Sequence, residues 1–145
     1  MRELEIKKTV DILNVIMEYE LAGVVRYTHY ALMVTGPYRQ PIVTFLNAQA
    51  DESLMHARQA GELITGLEGH PSMTIPPIEE THQHDLRTIL TESLAHEQHA
   101  LDLYKELLDV VQDASVYLEE YTRSQIGSEE QHVIELRKML RDYGR

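Results

Sequence analysis

Apolar positions along the chain recur at alternating steps of four and three. Ile6, Val10, Leu13, Met17, Val24, Tyr27, Ala31 and Val34 form one such series. At about 3.6 residues per turn these positions share one face, as on the inward side of a bundle helix. Leu90, Leu94, Leu101, Tyr104, Leu108 and Val111 repeat the pattern, and Leu118, Tyr121, Gln125, Leu136 and Leu140 carry it into a further segment. Backbone breakers divide the series into elements. Gly36-Pro37 stops a first helix that begins near Glu3, and Pro41 suits the first turn of a second that runs to about Leu67, before Gly69. The segment Gly69 to Pro77 holds Pro71, Pro76 and Pro77 and cannot be helical. Thr81 with His82-Gln83-His84-Asp85 opens a third helix to about Val111, and Asp113 caps a fourth to about Asp142. The expectation is an all-α fold. Four helices form two antiparallel pairs, joined by one long crossover between the second and third, in a single domain spanning residues 1–145.

What interrupts the stripes carries the chemistry. Glu20 falls in register between Met17 and Val24, and Glu97 between Leu94 and Leu101. Glu129 and His132 stand i, i+3 on the fourth stripe, while Glu52 and His56 stand i, i+4 on the second helix. A carboxylate buried alone costs many kcal/mol, so four in one core demand compensation. Two divalent cations balance four carboxylates, and two imidazoles add neutral nitrogen, a donor set suited to iron or manganese. Mutual repulsion among the carboxylates further predicts that Glu97→Gln stabilises the metal-free protein. On the second helix two registers are open. Either Glu52 turns inward with His56, aided by one wide turn, or the helix is regular and Ser53 takes the inward place.

Charge and composition narrow the partners. The chain is 43% hydrophobic and 26% charged, which excludes a disordered polymer, and no apolar run approaches the roughly 18 residues of a membrane span. Thirteen Lys and Arg against 24 Asp and Glu leave a net charge of −11. Nucleic acid and anionic lipid are disfavoured as partners, and cations are favoured. With no cysteine, a metal must be held by oxygen and nitrogen. The charged amino-terminus Met1-Arg2-Glu3-Leu4-Glu5 has no signal-peptide core, so the expected location is cytoplasmic.

These residues are similar to the ferritin-like superfamily, and to bacterioferritin most closely. The matching pieces are Tyr19-Glu20-Leu21-Ala22 with Tyr27, Asp51-Glu52 with His56-Ala57, Glu97, and Glu129-Glu130-Gln131-His132, over nearly the whole chain. The resemblance implies a di-iron ferroxidase centre. Glu20 and Glu97 would be terminal carboxylates, Glu52 and Glu129 bridging ones, and His56 and His132 the imidazole ligands. Tyr27 would stand beside the metals as an electron donor or an organiser of bound oxygen, or be simply a core aromatic. Haem is not expected, because Ser53 and Leu54 occupy the places where the family carries its haem methionine, and Met55 faces differently. Nor is the family's short fifth helix expected after Tyr143-Gly144-Arg145.

The function implied is oxidation of ferrous iron by oxygen or peroxide, for storage or detoxification, in a homo-oligomer. Ala48, Ala50, Ala57 and Ala60 offer small residues for close approach of another copy. The other readings are a di-iron or di-manganese oxidase acting on peroxide or a small substrate, and a metal-free helical shell or interaction protein. His96 and His99 bracket Glu97 but point about 100° and 200° away from it, which suits surface or supporting roles. His82 and His84 fall where a solvated helix terminus or a surface metal site is expected, and His29 and His70 belong to no readable constellation.

Overall fold

The computed structural model describes residues 1–141. Its helices are α1 (Ile6–Met33), α2 (Arg39–Gly66), α3 (Leu86–Val111) and α4 (Val116–Leu140). Among the described residues there is no strand. The turn at residues 34–38 holds Gly36 at φ 102°, a backbone that side chains with a Cβ rarely adopt. Arg39 Nε closes it by donating to the Val34 carbonyl at 2.8 Å. α1 packs on α2, α3 on α4, and α1 against α3. Short turns within the pairs and the long crossover of residues 67–85 between them are those read from the breakers.

Several boundaries differ from expectation. α1 starts at Ile6 rather than near Glu3, and Ile6 is left 52% exposed at its first turn. α3 starts only after Asp85, whose carboxylate accepts from Thr88 N, because His82 stands at φ 57° and breaks the helical path through residues 81–84. α4 is capped by Ser115, not Asp113; Asp113 takes φ 60° in the turn, and the Ser115 hydroxyl accepts from Leu118 N. The expected end at Asp142 lies outside the described residues. α4 ends at Leu140, with Arg137 and Lys138 in its last turn, where positive charge favours the helix's partial negative end.

The interior is layered. One apolar cluster joins Leu13, Ile16, Met17, Ala57, Ala60, Ile64, Leu103, Tyr104, Leu107, Val111 and Leu118 from all four helices. A second joins Tyr27, Tyr30, Ala31, Val34, Leu46, Ala50 and Ile89. Ala50, Ala57 and Ala60 are therefore core residues of this chain and not a stripe open to another copy; of the four alanines, Ala48 alone is exposed. Along α1, Glu20 falls between Met17 of the first cluster and Tyr27 of the second. A polar layer separates the two apolar ones.

Asn14 anchors the crossover. Its side-chain amide donates to the His70 carbonyl at 3.1 Å, and its carbonyl oxygen accepts from Ser72 N at 2.8 Å. Gly69 passes so close to α1 that a Cβ there would lie 2.7 Å from a Val10 methyl. At the far end Thr81 Oγ1 donates to the Glu92 carboxylate at 3.1 Å.

Candidate metal centre

The six stripe-interrupting residues converge in the polar layer. Glu20, His56, Glu97 and Glu129 are 1–3% exposed, while the side chains of His132 and Glu52 are 16% and 30% exposed. His56 Nδ1 lies 2.7 Å from Glu20 Oε2 and 3.8 Å from Glu129 Oε1. His132 Nδ1 lies 3.5 Å from Glu129 Oε2 and 3.8 Å from Glu97 Oε2. Two triads of potential ligand atoms result, Glu20–His56–Glu129 and Glu97–Glu129–His132, each with its atoms within 4.8 Å of one another. Glu129 belongs to both. Glu52 joins them at the outer edge, with Oε2 at 3.0 Å from His132 Nε2 and Oε1 at 3.6 Å from His56 Nε2.

On α2 the structure brings Glu52 to the two imidazoles and buries Ser53 as well. The helix is α throughout, without the wide turn expected to help Glu52. Glu52 reaches both imidazoles without it, because a 400° step leaves positions i and i+4 only about 40° apart. Ser53 is buried too, but its hydroxyl points at α1, where a Cβ on Gly23 would meet it at 2.7 Å.

Hydrogen bonds differentiate the carboxyl groups. Burial pushes the Glu97 carboxyl up, but the Glu129 carboxyl, His132 and the Tyr27 hydroxyl outweigh it and hold the group at about 2. The Tyr27 hydroxyl, in a fully buried ring, donates to Glu97 Oε1 at 2.6 Å. Burial, together with the Glu97 carboxylate, drives Glu129 up to about 10. Burial likewise raises Glu20, against the opposing effect of His56. Burial would lower His132, but hydrogen bonding to the Glu129, Glu52 and Glu97 side chains pushes it up to about 12. Closeness to His132 lowers Glu52, although its partial burial opposes this. In the metal-free layer Glu97 and Glu52 are thus held toward the ionised form and His132 toward the protonated form, while burial favours the protonated carboxyl at Glu129 and Glu20. Glu97 has a partner of its own in Tyr27, which weighs against the stabilisation expected of Glu97→Gln.

Two polar atoms of the layer, Glu129 Oε2 and His132 Nδ1, are buried without a hydrogen-bond partner. Donor atoms about 2.1 Å from one cation stand roughly 3.0–4.2 Å from each other. The 3.5 and 3.8 Å separations in the second triad fall in that range. In the first triad the His56–Glu20 separation of 2.7 Å is that of a hydrogen bond and lies below the range, while the carboxylate and imidazole donors are of the kind that take divalent ions.

A profile of the ferritin-like domain matches residues 10–145. The chain belongs to the ferritin-like family. Among curated proteins no sequence matches it. A ferritin-like, diiron-carboxylate protein from Bacillus anthracis superposes with a TM-score of 0.89 at 23% identity, over 96% of this chain and 99% of that one. The dodecameric thioferritin of Bacteroides fragilis, a bacterioferritin-related protein, gives 0.89 at 22% identity over 97% and 88%. Rhodobacter capsulatus bacterioferritin, in a structure with a metal-free dinuclear site and haem iron, gives 0.83 at 25% identity over 96% and 86%. The ferritin-like bundle with its long crossover is thereby established. No described helix is long and apolar enough to cross a membrane.

His96 went unrecognised as a core residue. It is 3% exposed, stacks on Tyr19 at 4.3 Å and meets the Tyr27 ring edge-on at 5.6 Å, whereas His99 is exposed. Its Nε2 would lie 2.8 Å from a Cβ on Gly23. Glycine at position 23 is what admits the ring. Burial lowers His96 to about 4, so the ring stays neutral. Gly23 on the α1 stripe's flank was the available signal.

Proposed function

We propose that the protein binds two ferrous ions per chain in this layer and oxidises them with dioxygen or peroxide, for iron storage or detoxification. The observation that carries the reading is Glu129 shared between two triads, each with its own imidazole and its own further carboxylate. In this arrangement Glu20 and His56 hold one ion and Glu97 and His132 the other, while Glu129 and Glu52 bridge. Four carboxylates then balance two divalent charges. Iron supplies the redox chemistry: two ferrous ions would release two electrons, which with two protons reduce one dioxygen to hydrogen peroxide or one hydrogen peroxide to two waters.

The protein's own groups prepare the place. Tyr27 fixes Glu97 Oε1 by donation and leaves Oε2 turned toward His132. The protons held by Glu129 and His132 in the metal-free layer must leave when cations arrive, so loading is coupled to proton release. Glu52, the most exposed of the six, stands on the solvent side, where it can meet incoming iron. The likeness to the dodecameric thioferritin supports a homo-oligomer, whose enclosed volume would hold ferric product. Manganese would satisfy the same donors.

Anaerobic Fe(II) titration with a pH indicator tests this. About two ions per chain and accompanying proton release are expected, followed by oxygen consumption on exposure to air. Glu52→Ala should lose tight binding of one ion, and Ser53→Ala should keep both. Stoichiometry near zero, or a silent Glu52→Ala, overturns the assignment.

A further inference from the structure

A second cluster of metal-binding side chains lies outside the polar layer, where the end of the crossover meets α1. His29 stands nine residues beyond Glu20, which at 100° per residue puts it on roughly the opposite face of α1 and about 13 Å further along. There it meets Glu80 and His84 of the crossover. His29 Nε2 lies 2.8 Å from Glu80 Oε2, His84 Nε2 lies 3.8 Å from Glu80 Oε1, and the two rings approach to 5.5 Å between centroids. One donor atom from each residue falls within 4.8 Å of the others. Both Nε2 atoms are buried although the side chains are only partly so, at 37% and 24% exposure, and neither has a hydrogen-bond partner. The close His29–Glu80 approach lacks hydrogen-bond geometry. Two imidazole nitrogens are thus turned toward a carboxylate at ion-pair distance without a hydrogen bond to it.

The segment is built to hold that carboxylate. His82, at φ 57°, turns its N–H back onto Glu80 Oε1 at 2.7 Å, which leaves Oε2 facing His29. Thr81 is tied to Glu92 of α3, and Asp85 caps α3 one residue beyond His84. A left-handed backbone at a residue with a Cβ persists where the surroundings fix the loop on both sides.

We propose that His29, Glu80 and His84 form a one-ion site for a divalent transition cation of the zinc class, completed by water, which clamps the crossover to α1. Two imidazoles and one carboxylate with an open side suit Zn(II), and the nitrogen majority disfavours Mg(II) and Ca(II). The site lies within one chain and is independent of the iron reading: it would hold with or without ferroxidase chemistry.

Zinc titration by equilibrium dialysis, together with hydrogen exchange of residues 78–85 with and without Zn(II), tests the site. Relative to the unsubstituted protein, His29→Ala and His84→Ala should each bind one zinc fewer per chain and lose zinc-dependent slowing of exchange in that segment. His82→Asn, which keeps a residue tolerant of the left-handed backbone and removes an imidazole outside the triad, should bind the full number. Helical circular dichroism checks that the partly exposed replacements leave the bundle folded. The proposal is overturned if His29→Ala and His84→Ala retain full zinc stoichiometry and exchange at 78–85 ignores zinc, or if His82→Asn is the variant that loses the ion.

Discussion

Leu13 and Glu20 occupy the same stripe of α1, seven residues apart, and both are almost wholly buried. One belongs to the apolar cluster shared by four helices and the other to the polar layer above it. Position on the helix decides that both are interior. Residue type decides what burial does to stability. In the apolar cluster each side chain leaves water at a gain of roughly 25 cal/mol per Å². In the polar layer each ionised group leaves water at a cost, recovered only through partners or a cation. The difference teaches that the bundle stands on its apolar layers, and that the layer between them is held by its partners rather than by the hydrophobic effect.

The largest expected effect falls in the apolar region. Leu107 is fully buried in the four-helix cluster. Leu107→Ala should cost about 2–5 kcal/mol of unfolding free energy through lost burial and the cavity left behind. Urea denaturation of the metal-free protein measures it. A loss below 1 kcal/mol would mean that the cluster collapses freely and does not carry the fold as this comparison requires.

A second effect sharpens the contrast through pH. Folding keeps His96 neutral by burial, with its titration lowered to about 4, whereas an unfolded histidine titrates near 6.5. A depressed value in the folded state means that the unfolded chain binds the proton first. The contribution is therefore fully present above pH 6.5 and is lost as pH falls from 6.5 toward 4, by roughly 3 kcal/mol in all. Metal-free His96→Gln should show a flatter stability curve over that window, compared by denaturation at successive pH values. Parallel curves would show that His96 is not the group that weakens the fold in mild acid.

The stripes and their interruptions were legible because each is a property of one helix: the four-three spacing places Glu20, Glu97, Glu129 and His132 inward without knowledge of the neighbours. Glu52 was legible only as one of two choices, since the decision depends on Gly23 of α1 drawing Ser53 and His96 toward it. The same close approach buries His96, about 100° off the α3 stripe, where periodicity alone gives no inward signal. Capping illustrates another limit. Asp113 and Ser115 are both competent caps, and the left-handed turn at Asp113 assigns the role to Ser115. The His29–Glu80–His84 cluster joins a helix to a crossover more than fifty residues later in the chain, and no local pattern connects them.

The smallest effect tests whether the polar layer is uniform. Four carboxylates in one layer suggest that neutralising any of them relieves repulsion, yet Tyr27 donates to Glu97 and nothing hydrogen-bonds Glu129 Oε2. Glu97→Gln replaces the ionised acceptor of the Tyr27 hydroxyl with a neutral amide and removes one of the carboxylates facing His132, which keeps Glu52 Oε2 at 3.0 Å, so the main loss is a buried charge-assisted hydrogen bond. Glu129→Gln substitutes an amide for a carboxyl group that burial already keeps protonated, so it changes little or stabilises slightly. In the metal-free protein Glu97→Gln should therefore lose about 1–3 kcal/mol while Glu129→Gln stays within about 1 kcal/mol of the parent. Both should impair iron binding, since each removes a negative oxygen ligand. Thermal unfolding of the two variants in chelator separates the cases. Equal shifts would mean that the carboxylates act as one repelling set and that the Tyr27 hydrogen bond does not single out Glu97.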